Sequence, residues 1–190
     1  MSHVRKVLAN QSSDKKQYRL RRYDKPDESV AKVIHKPILS KEEIQKIQKT
    51  PLHRRIGLTL KESKDTNILK PHEAVFAERF TDLGYRIHWI NRIQPAKNNK
   101  GYAPTNDFEW DGIEWELKRP EKARYGSVKP MLKRGATSGK KNFVIDLKRA
   151  TLRKKLAEQL SLYNQNNPEH KISKLLLFDR DGIKEIVLKK

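Results

Sequence analysis

The chain has 190 residues, room for one domain with an appendage or for two small domains. Hydrophobic and charged residues each make up 35%, so an evenly packed core along the whole length is not expected. Cysteine is absent, which excludes disulfides, thiolate zinc sites and a cysteine nucleophile.

The charge balance, 43 Lys plus Arg against 23 Asp plus Glu, leaves a net +20. Such an excess repels itself in a compact state unless a polyanion shares it, and nucleic acid is the expected partner. A membrane surface would require an amphipathic helix with bulky apolar residues on one side, and the basic segments contain none. No apolar run is long enough for a transmembrane helix or a secretory signal; Leu175–Phe178 is typical. A cytoplasmic site of action is expected, with no membrane partner.

In chain order, residues 1 to about 36 are polar, basic and aperiodic, and read as a flexible, partly disordered arm. Its interleaved Lys and Tyr residues could stack on bases, although a solvated tail explains them equally well. Ser40 and Glu43 form a capping box that opens a short helix over about 41–50, ended by Pro51. Residues 1–70 are assigned to a basic N-terminal extension and 71–190 to the folded domain. Each part carries +10, so the charge is not confined to a tail.

A helix is predicted over 71–83, with Phe76, Ala77, Phe80 and Leu83 on one face and Gly84 beyond its end. A strand over 85–90, in which His88 reads as structural, leads into a polar loop over 91–105. Residues 107–118 read as a hairpin around Asp111-Gly112, a dipeptide suited to a two-residue turn. A short helix is expected near 128–134, a strand over 142–147, and an amphipathic helix over 151–163 bearing Leu152, Leu156, Leu160 and Tyr163. Two strands, 174–178 and 183–188, close the chain. The alternation of strands and helices predicts an α/β fold: a mixed central sheet flanked by helices.

The hairpin carries the chemistry. With Asp111-Gly112 as the turn, pairs run 110–113, 109–114, 108–115 and 107–116. Phe108, Trp110, Ile113, Trp115 and Leu117 then take one face; Asp107, Glu109, Glu114, Glu116 and Lys118 take the other. Asp107 and Glu116, directly opposed, would repel each other unless a divalent cation lay between them. Magnesium suits such hard oxygen donors, with manganese as a substitute, and Lys118 on the same face could orient water or neutralise a phosphate. Glu73, at the end of the apolar stripe of the 71–83 helix, is a further candidate; Glu78, beside Arg79 and Asp82, reads as solvated. An ordinary solvated hairpin face and a helix-dipole acid are the plain alternatives. What favours a site is the conjunction with residues 118–141, where nine residues are basic and Glu121 alone is acidic. Within that strip Arg119, Lys122, Arg124, Lys129, Lys133, Arg134, Lys140 and Lys141 are candidate phosphate contacts.

Helical Glu73, Asn106-Asp107 and Glu116-Leu117-Lys118 together resemble the signature of the PD-(D/E)XK nuclease superfamily, with Asn106 in place of the proline. The stretch from Asn106 to Lys118, followed by Asn142-Phe143-Val144-Ile145-Asp146-Leu147, is similar to nuclease domains at the C-termini of contact-dependent growth inhibition toxins, several of which cleave tRNA. The resemblance covers about residues 71–150. It implies a restriction-endonuclease-like core, magnesium-centred phosphodiester hydrolysis with Glu73, Asp107, Glu116 and Lys118 as catalytic residues, RNA as favoured substrate, and a cognate inhibitor protein as a partner. The alternatives are a DNA endonuclease of a mobile element and a non-catalytic nucleic-acid-binding protein. Gln159 to Tyr163 also matches a Q-h-x-x-Y pattern of some exonuclease relatives, but Tyr163 completes an apolar stripe and packing explains it better.

Overall fold

The computed structural model describes residues 26–91 and 105–190. Most of the expected arm and of the polar loop lie outside these residues. The described chain forms a seven-stranded mixed sheet with helices on both faces, as the alternation of elements predicts.

The strands are β1 (Ala31–Ile34), β2 (His88–Trp89), β3 (Phe108–Trp110), β4 (Ile113–Lys118), β5 (Asn142–Asp146), β6 (Lys174–Phe178) and β7 (Ile183–Ile186), in the order β1-β7-β6-β5-β4-β3-β2. β4, β5 and β6 are parallel neighbours and every other pairing is antiparallel. The helices are α1 (Lys41–Lys49), α2 (Leu52–Arg55), α3 (Leu60–Lys64), α4 (Pro71–Asp82), α5 (Tyr125–Thr137), α6 (Lys154–Ser161) and α7 (Tyr163–Asn166).

The two parallel connections advance in the same direction across the sheet. Right-handed crossovers of that kind place their helices on one face. Accordingly Val128 and Leu132 of α5 and Leu156 and Leu160 of α6 cover Phe143, Ile145, Leu175 and Leu177. The alternate residues Trp115, Leu117, Val144, Leu176 and Phe178 point the other way, onto Phe76 and Phe80 of α4. That second layer is aromatic: the Phe76 ring lies 5.2 Å from Phe80, 5.4 Å from Phe108 and, edge-on, 5.6 Å from Phe178. Each ring fully removed from water contributes about 1.5–3 kcal/mol.

Two glycines are required, one by the hairpin turn and one by close packing. Asp111 and Gly112 both have positive φ (54° and 68°), the two-residue turn that Asp-Gly favours. A Cβ on Gly135 would stand 2.4 Å from the Phe143 ring, so α5 lies as close to the sheet as it does only with glycine there.

The N-terminal boundary needs correction. Ile56, Leu58, Ile68 and Leu69 are buried in the aromatic core, and β1 pairs with β7, so the packed structure begins near residue 31 and not at 71. Other elements shift by a few residues. The 85–90 strand pairs only at His88–Trp89, α5 extends to Thr137, and the 151–163 helix is α6 followed by the short α7. The capping box at Ser40 and Glu43 is present.

Candidate active site on the hairpin

The hairpin register at the turn follows the expectation, with Trp110 opposite Ile113, Glu109 opposite Glu114 and Phe108 opposite Trp115. The expected 107–116 pair does not form. The Asp107 N–H instead donates to the Trp115 carbonyl at 2.9 Å, so Asp107 and Phe108 both oppose Trp115, as in a β-bulge. The Asp107 carboxylate, 3% exposed, accepts a 2.6 Å hydrogen bond from the Leu117 N–H. It takes the place of a ladder carbonyl. The acids that do stand directly opposed are Glu109 and Glu114, both in water.

Glu116 and Lys118 alternate with buried Trp115 and Leu117 and so stand on the α5 and α6 side, in register with Phe143 and Ile145. The Glu116 side chain is 13% exposed and lies between two ammonium groups. Lys118 Nζ donates to its Oε1 in a short contact, and Lys140 Nζ lies 3.7 Å from Oε2. Lys140 sits in the turn between α5 and β5, with its side chain only 8% exposed. Burial pushes this lysine below its usual range, against the pull of the Glu116 and Glu114 carboxylates; neighbouring Lys118 pushes it further down. Glu114 itself accepts from Asn106 Nδ2 at 2.7 Å.

Glu73 is 3% exposed in the first turn of α4. Its Oε2 accepts from the Lys70 N–H at 2.9 Å, the back-reaching half of a capping box, and Lys70 Nζ lies 3.4 Å from Oε1. The same turn approaches the end of β4, where Arg119 donates weakly to the His72 carbonyl. Glu78 behaves as expected, 57% exposed and 3.9 Å from Arg55.

The basic strip divides in two. Lys122, Arg124, Lys133, Arg134 and Lys141 are exposed and Lys129 is half-buried, all on or beside α5. Arg119 and Lys140 do not belong with them, because they are spent inside the fold. Arg119 Nε lies 3.6 Å from Asp146, and Lys140 faces Glu116.

A buried ionic group at the ends of β5 and β6 was not foreseen. Arg79 donates to Asp146 Oδ1 at 3.0 Å and to the Lys148 carbonyl at 2.6 Å, with its guanidinium 4.4 Å from the Phe178 ring centre. Asp179 accepts from Lys184 Nζ at 2.6 Å. The one sequence signal was Asp146 inside an otherwise apolar strand. Tyr163 is fully buried, as the packing reading expects.

Among the described residues no three His, Asp or Glu side chains gather closely enough to form a metal cage. Magnesium commonly takes one or two protein carboxylates and keeps its waters. Asp107, bonded to the Leu117 N–H, and neighbouring Glu116 are oxygen donors of the kind magnesium takes.

No protein-family model and no curated protein matches the sequence. Among solved structures the chain is similar to a chain of the CdiA-CT/CdiI toxin and immunity complex from Burkholderia pseudomallei, at 15% identity and a TM-score of 0.44, over 64% of this chain and 86% of that one. No helix among the described residues is long and apolar enough to cross a membrane.

Proposed function

We propose that the chain is a magnesium-dependent endonuclease that hydrolyses phosphodiester bonds in structured RNA, with tRNA the leading substrate and the cytoplasm its place of action. The observation that carries the reading is Glu116. It is a half-buried carboxylate between Lys118 and Lys140, one residue from the peptide N–H that holds buried Asp107. A purely structural hairpin face gains little from drawing two ammonium groups onto one carboxylate.

In this reading Asp107 and Glu116 hold the cation, which when bound supplies Lewis-acid stabilisation of the phosphate and a more acidic water. Lys118 neutralises charge that develops on the phosphate or orients the attacking water. Glu73 is the fourth proposed catalytic residue; it starts α4, on the opposite face of the sheet from Glu116 and Lys118, and in this reading acts around the end of β4, where Arg119 reaches the His72 carbonyl. The exposed cations of α5 grip phosphates without reading bases, so recognition rests on shape, which suits a folded RNA. A cognate inhibitor protein is part of the proposal and rests on the motif resemblance alone.

A silent nucleic-acid binder is the second reading. It is favoured by the fact that both Glu116 oxygens already face lysines. Incubation of the protein with total RNA and with plasmid, each with magnesium and with chelator, decides. Cleavage of tRNA only with magnesium, with the plasmid intact, is expected. Cut plasmid beside intact tRNA would replace the reading with a DNA endonuclease, and no cleavage in any tube would leave the binder.

A further inference from the structure

Lys140 has the wrong surroundings for a phosphate tether. Its side chain is 8% exposed, it is fixed in the turn between α5 and β5, and the carboxylate oxygen it faces is Glu116 Oε2 at 3.7 Å, with Glu114 also attracting it. Exposed Lys133, by contrast, stands on the outer face of α5. A divalent cation entering at Glu116 would meet two ammonium groups there, Lys118 on Oε1 and Lys140 beside Oε2, and could take Oε2 only at the expense of Lys140. Like charges a few ångströms apart disfavour each other strongly even with partial screening.

We infer that Lys140 is a resident counter-cation for Glu116: a positioning residue that holds Oε2 in the metal-free protein, competes with a divalent cation for it, and so sets the metal concentration at which the site loads. The inference rests on Glu116 being a metal ligand, as proposed above. Lys118, on the same strand, remains beside the loaded site, whereas Lys140 is the partner displaced.

The test uses the full chain and Mn2+ as the probe, with binding followed by the free-ion paramagnetic resonance signal. Lys140→Met is expected to tighten Mn2+ binding at least about fivefold, the effect of removing one unit charge about 4 Å away even at water-like screening. Lys140→Arg keeps the charge and is expected to bind Mn2+ as the wild type does. The salt dependence of tRNA binding should be unchanged in Lys140→Met, whereas Lys133→Met should lower the slope by about one. Unchanged or weaker Mn2+ binding, no detectable binding in either protein, or a slope lowered by one in Lys140→Met overturns the inference. A measurement on the wild type needs no neutral variant to fold. The Lys140 side-chain ammonium resonance, assigned through Lys140→Arg, should move as Mg2+ is titrated in, and a static resonance also overturns the inference. None of these readouts needs cleavage. A protein that passes them yet cuts neither RNA nor plasmid fails the proposed activity alone.

Discussion

At the turn end of the hairpin, Glu109 and Glu114 face one another across the ladder, both exposed, with Glu114 accepting from Asn106. At its other end Asp107 and Glu116 are kept out of register, and each is more deeply buried with its own donors. Water screens the first pair, so direct opposition costs only a few tenths of a kcal/mol to about one. The second pair is half-buried or more, where an uncompensated carboxylate would cost far more. The bulge at Asp107 resolves this by turning one acid onto a backbone N–H while two lysines enclose the other. Similar residue types on one short hairpin therefore carry different weight, and exposure decides which.

The largest expected effect lies at the enclosed end. Glu116→Gln and Lys118→Ala should each lower the cleavage rate on the order of 10² to 10³-fold, the usual loss when a metal ligand or a charge stabiliser is removed. Glu109→Gln and Glu114→Gln should cut RNA as the wild type does. Single-turnover cleavage of tRNA in magnesium measures all four. If the turn-end variants lose as much as the enclosed ones, the comparison collapses and the hairpin acids act only through bulk charge.

Next in size is the bulge. Asp107→Ala leaves the buried Leu117 N–H without its acceptor and should destabilise the protein by about 1–3 kcal/mol, whereas Asp107→Asn retains an acceptor oxygen and should cost less. Glu109→Ala should remain within about 0.5 kcal/mol of wild type. Denaturant unfolding without metal reads these values. The same Asp107→Asn protein should need more magnesium for cleavage, since it lacks one carboxylate ligand.

These contrasts mark how far the sequence could be read. The turn was visible because Asp111-Gly112 satisfies a local rule, and the register at 109–114 followed from it by counting. Counting failed one step later, at Asp107, because a bulge is set by what a buried side chain can bond to and not by alternation. The aromatic stripe of α4 and the apolar strands β5 and β6 were read correctly for the same local reason. By contrast, the ends of α5 are hard to read because Gly126 and Gly135, which flank the expected span, argue against a helix, although Gly135 is what lets α5 approach Phe143. β1 carries little sequence signal because it is an edge strand with only Ala31 buried. Residues 52–69 give no core signal in the sequence because α2 and α3 are too short to show a period, yet Ile56, Leu58, Ile68 and Leu69 are buried. Arg79 and Asp146 meet across 67 positions, and no sequence pattern announces that pair.

The rule that a buried polar group has a partner meets an exception at Tyr163, whose hydroxyl has no hydrogen-bond partner among the described residues. Burial, with neighbouring Tyr125 adding to it, pushes this phenol up to about 12. The folded state favours the neutral form, so this stabilisation is complete below the ordinary tyrosine value near 10 and is lost as the pH climbs from there toward 12. Tyr163→Phe should be neutral to stabilising by about 1 kcal/mol at pH 7, because it removes an unpaired buried hydroxyl. It should also flatten the alkaline fall in melting temperature. A variant clearly less stable at pH 7 would reveal a bond to Tyr163, such as one to an internal water.

The smallest effect is at the exposed end and tests whether that end is as inconsequential as its solvation implies. Glu109→Lys turns the directly opposed pair with Glu114 from like to unlike charges. Cross-strand pairs of this kind are worth about 0.2–1 kcal/mol, and both side chains stay in water, so a gain in the lower half of that range is expected. Because Debye screening shortens to about 3 Å at 1 M salt, the gain should fade as salt is added. Paired thermal melts at low and high salt measure it. A gain that persists at high salt would mean that Glu109 and Glu114 are held in a drier setting than their exposure indicates, and would bring the turn end closer in character to Glu116. A loss of stability would point instead to His88, which faces Glu109 from β2, as the partner that the glutamate serves.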